Sequence, residues 1–388
     1  MATTRTLNIR SRASVLRHIS CAVLVATLGG CSLWGGASTK PVPADLGPNV
    51  PVLGVRQAWT ARVGSVAGLP LEIHAAGNVV TVASADGVVA AIDARTGGDV
   101  WRTSLAEPLS AGVGSDGKVA AVASRSNALI VLEGGREKWR QPLTAQVFTA
   151  PLVAGGRVFV VSADRSVAAY DAATGRKLWS QQRTGEPLVL RQAGVLMAVG
   201  DTLVVGFSGR VVGLNPDNGS VRWEAPLASS RGTNDVERLV ELVGRTSRVG
   251  ESICARAFQA TVGCVNAARG VVTWSQPASG AEGVHGDGEA VFGAESNGTV
   301  VAWRRSDGSR LWSIDRLKHR RLTAPLLLGR SVVVGDDGGL VHLLSRADGS
   351  ALNRVATDGS GIAAAPAVAA DALVVVTRNG GVYGFRPD

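Results

Sequence analysis

Ala91-Ile-Asp93-Ala-Arg-Thr96-Gly97-Gly-Asp-Val-Trp101 returns as Ala169-Tyr-Asp171-Ala-Ala-Thr174-Gly175-Arg-Lys-Leu-Trp179. Looser copies run Gly213-Leu-Asn215…Gly219…Trp223, Cys264-Val-Asn266…Gly270…Trp274 and Ala302…Asp307-Gly308…Trp312. A shortened copy is Val131-Leu-Glu133-Gly-Gly135…Trp139, and a last one, Asp348-Gly349-Ser-Ala-Leu-Asn353, has Asn where Trp is expected. With Trp59 placed before the first copy, successive Trp separations are 42, 38, 40, 44, 51 and 38 residues. A period near forty residues marks a repeat architecture, and it accounts for a chain too long for one ordinary domain.

Inside each repeat the apolar runs are short, rich in Val and Ala, and cut by Gly, Asn or Asp. Val79–Ser84 then Gly87–Asp93, Val158–Ser162 then Val167–Asp171, and Leu203–Phe207 then Val211–Leu214 are examples. They read as hairpins turning at Ala85-Asp86-Gly87, Ser208-Gly209-Arg210 and Asn379-Gly380. Four strands per repeat is the pattern of propeller blades. Pro70, Pro151, Pro325 and Pro366 each fall about where a repeat's first strand begins. A residue with no N–H belongs at a strand start or on an edge.

The ends of the chain complete the count. The last repeat, about Gly361 to Phe385, supplies three strands, and Val55–Val63 around Trp59 reads as a fourth strand lacking its first three. Pairing the two closes the ring and removes its open edges. The expected fold is therefore all-β, an eight-bladed β-propeller over residues 53–388 whose last blade is closed by the N-terminal strand.

Ahead of it, Arg5, Arg10, Arg12 and Arg17 precede the apolar run Ala22–Leu28 and then Gly29-Gly30-Cys31. This reads as a signal peptide over 1–30, its apolar run too short to span a bilayer. Residues 31–52 hold four prolines and no periodicity, which reads as a flexible tether. Removing 1–30 takes Lys+Arg from 40 to 36 against 31 Asp+Glu, a net +5 in place of +9. The charges are interspersed, so no basic stripe points to nucleic acid.

Leu28-Gly29-Gly30-Cys31 resembles the bacterial lipobox, which implies acylation of Cys31, and Ser32 after it implies outer-membrane retention. The Ala-x-Asp-x-x-Thr-Gly-x-x-x-Trp frame resembles the tryptophan-docking motif of the quinoprotein (PQQ-like) propellers. That implies a structural role for Trp59, Trp101, Trp139, Trp179, Trp223, Trp274 and Trp312, each packed between blades. Quinoprotein dehydrogenases also carry vicinal cysteines and a calcium-bound catalytic Asp. This chain has no adjacent cysteines and no D-x-D-x-D-G loop, and Asp336-Asp337-Gly338-Gly339 fits a hairpin turn. His74, His285, His319 and His342 stand singly, with no P-loop or G-x-S-x-G elbow. No catalytic, cofactor or metal residue is assigned.

A narrower resemblance spans nearly the whole chain. Leu311-Trp-Ser-Ile-Asp-Arg-Leu-Lys-His319-Arg320-Arg-Leu322-Thr-Ala-Pro325, then Val333-Val-Gly335-Asp336 and Gly380-Gly-Val382-Tyr383, are similar to the propeller lipoproteins of the outer-membrane β-barrel assembly (BAM) machinery. Membership would imply a non-enzymatic scaffold, lipid-anchored at the periplasmic face of the outer membrane. Its partners would be BamA, bound through the POTRA domains, and unfolded outer-membrane proteins. The family's Leu-x-Leu-Arg loop matches Leu188-Val189-Leu190-Arg191, and its acidic segment matches Asp235-Val-Glu237-Arg238-Leu239-Val-Glu241 in part. The expected partner-binding residues are Leu188, Leu190, Arg191, Arg238 and Glu241. Val243 stands where the family has a second aspartate.

Leucines two apart share one side of an extended segment, and an adjacent Arg makes a hot-spot composition. The same leucines could instead begin the next blade's inner strand as core. Two other functions stay open: a PQQ- and calcium-dependent oxidoreductase, and an envelope propeller with another partner. Cys254 and Cys264 oppose each other if a three-residue turn is centred on Gln259, and lie on opposite faces if the turn has two residues. Only the first register permits a disulfide.

Overall fold

A computed structural model describes residues 1–2, 41–49, 51–184, 188–229 and 239–388. The signal peptide, Cys31 and the acidic-segment residues Asp235, Glu237 and Arg238 lie outside the described residues. Met1–Val42 and Pro43–Asp388 are separate units. In the second, strands assemble as eight four-stranded antiparallel sheets, and no helix occurs among the described residues. Seven sheets use four consecutive strands; the eighth joins Val55–Arg62 to the three C-terminal strands. That N-terminal strand pairs antiparallel with Gly381–Pro387, from Val55 opposite Pro387 to Arg62 opposite Gly381. Blades are numbered here from the one beginning at His74 (blade 1) to this composite one (blade 8).

Burial explains the strand composition. The middle strands are covered on both faces by neighbouring blades, so Val119–Ala123 and Ala290–Ala294 are buried at every position. Such strands read as continuous apolar runs instead of alternating ones. Outer strands such as Asp99–Ser104 alternate, because one face meets water. Inner strands of most neighbouring blades contact one another, including those of blade 8 and blade 1.

The tryptophans join blade to blade. Trp59, Trp139, Trp179, Trp274 and Trp312 donate their indole N–H to Ala94, Ala172, Pro216, Arg305 and Arg346 carbonyls, at 2.7–3.0 Å. Each acceptor lies in the next blade's turn between its third and fourth strands. The ring lies against that turn's glycine: a Cβ on Gly175, whose φ is +74°, would stand 2.7 Å from Trp139. Glycine is required there both by the left-handed backbone and by the indole. Among the described residues, only the blade 7 to blade 8 junction lacks a Trp. Blade 8 has no third-to-fourth turn, because those strands come from opposite ends of the chain, so no docking platform exists. Asn353 instead donates to the Leu53 carbonyl at 2.7 Å.

Pro151, Pro325 and Pro366 immediately precede the inner strands Leu152–Ala154, Leu326–Leu328 and Ala367–Ala369. Pro70 does not, because the inner strand of blade 1 starts later, at His74. Cys254 and Cys264 are directly paired across a three-residue turn, with Gln259 at φ +49°, and form a disulfide.

Strand alternation sorts the connections. Second-to-third turns and links between blades fall on one side of the ring, the loop face. First-to-second and third-to-fourth turns fall on the other, the turn face.

Candidate partner-binding surface

The link from blade 3 to blade 4 leaves the outer strand Lys177–Gln182 and must travel inward to Leu196–Val199. Leu188 to Arg191 therefore lie in the link and begin no strand. Leu188 is 41% exposed, a large apolar side chain in water. Val189 and Leu190 are half-buried and Arg191 is exposed. Polar contacts hold the far end of the link: Gln192 Nε2 donates to Ala281 O at 2.6 Å and Gly194 N to Thr149 Oγ1 at 2.9 Å. An isolated bridge pairs Gly194 with Val243. Val243 is thus part of the blade 5 framework and is buried.

Glu241, expected as an acid open to a partner, sits inside. Its carboxylate meets Arg165 Nη2 at 2.9 Å, and the two side chains are only 14% and 7% exposed. Burial pushes the Glu241 carboxyl above the usual range, against the pull of Arg165. The same Arg165 nitrogen donates to the Leu188 carbonyl at 3.1 Å. Arg165 belongs to the second-to-third turn of blade 3 and has φ +65°. It therefore joins the Leu188 link to the Glu241 link on the loop face. A cleft of about 60 Å³ opens there, lined by Leu190, Arg165, Glu241, Phe148 and Phe207 among others.

Sequence reasoning missed Arg165. Leu188 and Glu241, which it holds, are 23 and 76 positions away, and nothing local marks it.

Arg191 also stands at the rim of a larger cavity, about 520 Å³, at the loop-face mouth of the central channel. Links from several blades contribute Glu72, Glu282 and Arg321 to it, and the inner strand Leu242–Val249 contributes Arg245. Burial raises Glu72, opposed by Arg245, and burial raises Glu282 to about 7. Arg245 donates to Pro366 O at 2.6 Å. Nearby, burial and the Arg245 and Arg305 charges bring His285 down to about 3. That neutral ring accepts the Leu327 N–H at Nδ1, at 3.0 Å. Glu72, Glu282 and Arg321 fall just before inner strands and Arg245 inside one, but the repeat frame does not reveal that they share a cavity.

A family model described as "Outer membrane protein assembly factor BamB" matches residues 85–314. A protein of that name from Burkholderia pseudomallei is 41% identical over 372 residues, covering 95% of this chain and 97% of the relative. The crystal structure of BamB from Moraxella catarrhalis superposes with a TM-score of 0.78 at 24% identity, covering 86% of this chain and 99% of that one. A quinohemoprotein alcohol dehydrogenase from Comamonas testosteroni gives a TM-score of 0.68 at 15% identity, covering 86% and 76%. These two structural likenesses speak for the fold.

Proposed function

Since the chain belongs to the BamB family of outer-membrane protein assembly factors, we propose that it is the lipoprotein scaffold of a BAM complex, docked on BamA. The role is non-enzymatic. Acylation of Cys31 anchors the protein at the periplasmic face of the outer membrane, and the propeller assists insertion of barrel proteins. A single acyl chain binds a bilayer only reversibly, whereas the several chains of a bacterial lipoprotein hold it.

The observation that carries the docking surface is the meeting of two links on the loop face. Leu188 and Arg191 present an apolar side chain and a cation to solvent, while Arg165 and Glu241 hold the links together beneath them. An exposed Leu close to an exposed Arg suits a protein partner. Glu241 contributes by shaping the surface. Co-purification from detergent-solubilised membranes tests the reading. A tagged full-length protein retains BamA if it is correct, and material free of BamA contradicts it.

A further inference from the structure

The inner strand of blade 5, Leu242–Val249, is interrupted. Val243 pairs with Arg256 and Ser247 with Cys254, so Gly244, Arg245 and Thr246 stand opposite the single Ala255. The extra residues form a bulge, a device that re-aims a side chain from an edge strand. Here it sends Arg245 across the ring. Nη1 of Arg245 donates to Pro366 O at 2.6 Å, just before the inner strand of blade 8. Blades 5 and 8 are not neighbours, so this arm spans the central channel, where it lines the cavity of about 520 Å³.

The acids of that cavity are left without a partner. Among the described residues, no hydrogen bond or ion pair reaches the carboxyl of Glu72, in the link into blade 1, or of Glu282, in the link into blade 6. Arg245 pulls Glu72 down, and Arg321 and Arg256 pull Glu282 down, but burial outweighs them and raises both. A carboxylate set so deep without a partner is costly. A cavity of this volume with a few convergent polar groups is the usual form of a small-ligand site.

The polar groups that converge give the sign of the ligand. A Cβ on Gly244 would stand 2.9 Å from Glu72 Oε1, 3.0 Å from Gly194 O and 3.5 Å from Ala193 O. Three acceptor oxygens therefore meet beside the bulge, an arrangement suited to a group rich in N–H. Arg245 is turned to Pro366 O, and Arg191 and Arg321 are exposed at the rim. Once ionised, Glu72 and Glu282 outnumber the inward guanidinium of Arg245, so one added positive charge balances the interior. No group of three His, Cys, Asp or Glu side chains suited to a metal occurs among the described residues. That favours an organic cation.

We propose that this cavity binds an alkylammonium group, held by the Glu72 and Glu282 carboxylates and the Gly194 carbonyl, with Arg245 as the positioning residue that spans the channel beside it. A lysine side chain and a polyamine both carry such a group. The site is independent of the docking surface on Leu188 and Arg191 and is read on the purified protein alone.

Calorimetric titration of the full-length protein at pH 8 tests it. The probes are cadaverine and Nα-acetyl-lysine amide, with Nα-acetyl-norleucine amide as the uncharged match; both amines stay protonated at that pH. At least one amine should bind saturably with a Kd of at most about 1 mM, and the norleucine probe should not bind. Binding of the lysine probe points to a protein side chain as the natural occupant, and binding of cadaverine alone to a free polyamine. Glu282→Gln should weaken amine binding at least about tenfold, the order of one lost charge-assisted bond, without lowering the melting temperature. Glu72→Gln should weaken it likewise and gives a second, separate reading. Affinity should fall several-fold from pH 8 to pH 6, because Glu282, raised to about 7, takes up its proton in that interval. No saturable binding of either amine would overturn the proposal. So would equal binding of the norleucine probe, wild-type affinity in both variants, or tighter amine binding at pH 6.

Discussion

Arg165, in a turn of blade 3, holds the carboxylate of Glu241, in the link from blade 4 to blade 5, at 2.9 Å. The pair is nearly closed to water, so the consequence of breaking it is set by what remains. Arg165→Gln would leave a buried carboxylate without its cation, at a cost of about 3 kcal/mol. Chemical denaturation should give that loss. The double variant Arg165→Gln/Glu241→Gln should recover part of it, because the Glu241 carboxylate is then no longer left without its cation.

Trp59 is the joint that closes the ring. It is buried, donates to Ala94 O at 2.7 Å and lies on Gly97 of blade 1. Trp59→Ala removes a large buried side chain at the one blade held together by both chain ends. A loss of about 3–5 kcal/mol in unfolding free energy is expected.

The disulfide closes a loop of ten residues' separation. Chain-entropy reasoning gives about 2–3 kcal/mol for such a loop, an upper figure here because the hairpin already restrains it. Cys254→Ala/Cys264→Ala should lower stability by up to that amount. Both cysteines are fully buried, so the protein must be denatured before alkylation; without reductant, neither position should then carry an alkylated thiol.

Glu282 provides a pH signature. Burial raises its carboxyl from 4.5 to about 7 in the folded protein. Folding then favours the protonated form, so this group's contribution turns destabilising as pH rises between those two values. Glu282→Gln keeps the neutral shape. Its melting temperature should exceed that of wild type at pH 8, and the difference should vanish at pH 4. A difference independent of pH would contradict the assignment.

The blades were legible because each rests on local signals: a Trp period, a Thr-Gly turn that only glycine satisfies, and alternation or continuity of apolar residues. Ring closure was legible from strand arithmetic at the two ends; the cysteine register was not, because a two-residue and a three-residue turn both fit the sequence, and the structure takes the one centred on Gln259. The candidate surface was legible only in part. Leu188 and Arg191 fall in an exposed link, but the burial of Glu241 depends on Arg165, far away in the chain. The stretch around Ala44 and Asn49 reads as tether in the sequence because its contacts reach Lys318, Asn353 and Arg354, roughly three hundred residues on. Side-chain meetings at that range leave no periodicity. The Asn353 irregularity was visible, and its cause, a blade without a third-to-fourth turn, required the topology.

The docking claim is tested most directly by measuring binding of purified BamA POTRA domains to the full-length protein, wild type against Arg191→Glu, with melting temperatures compared in parallel. Wild type should bind saturably, and Arg191→Glu should bind at least about tenfold more weakly with an unchanged melting temperature. Absence of wild-type binding, or equal binding by the variant, would contradict the account.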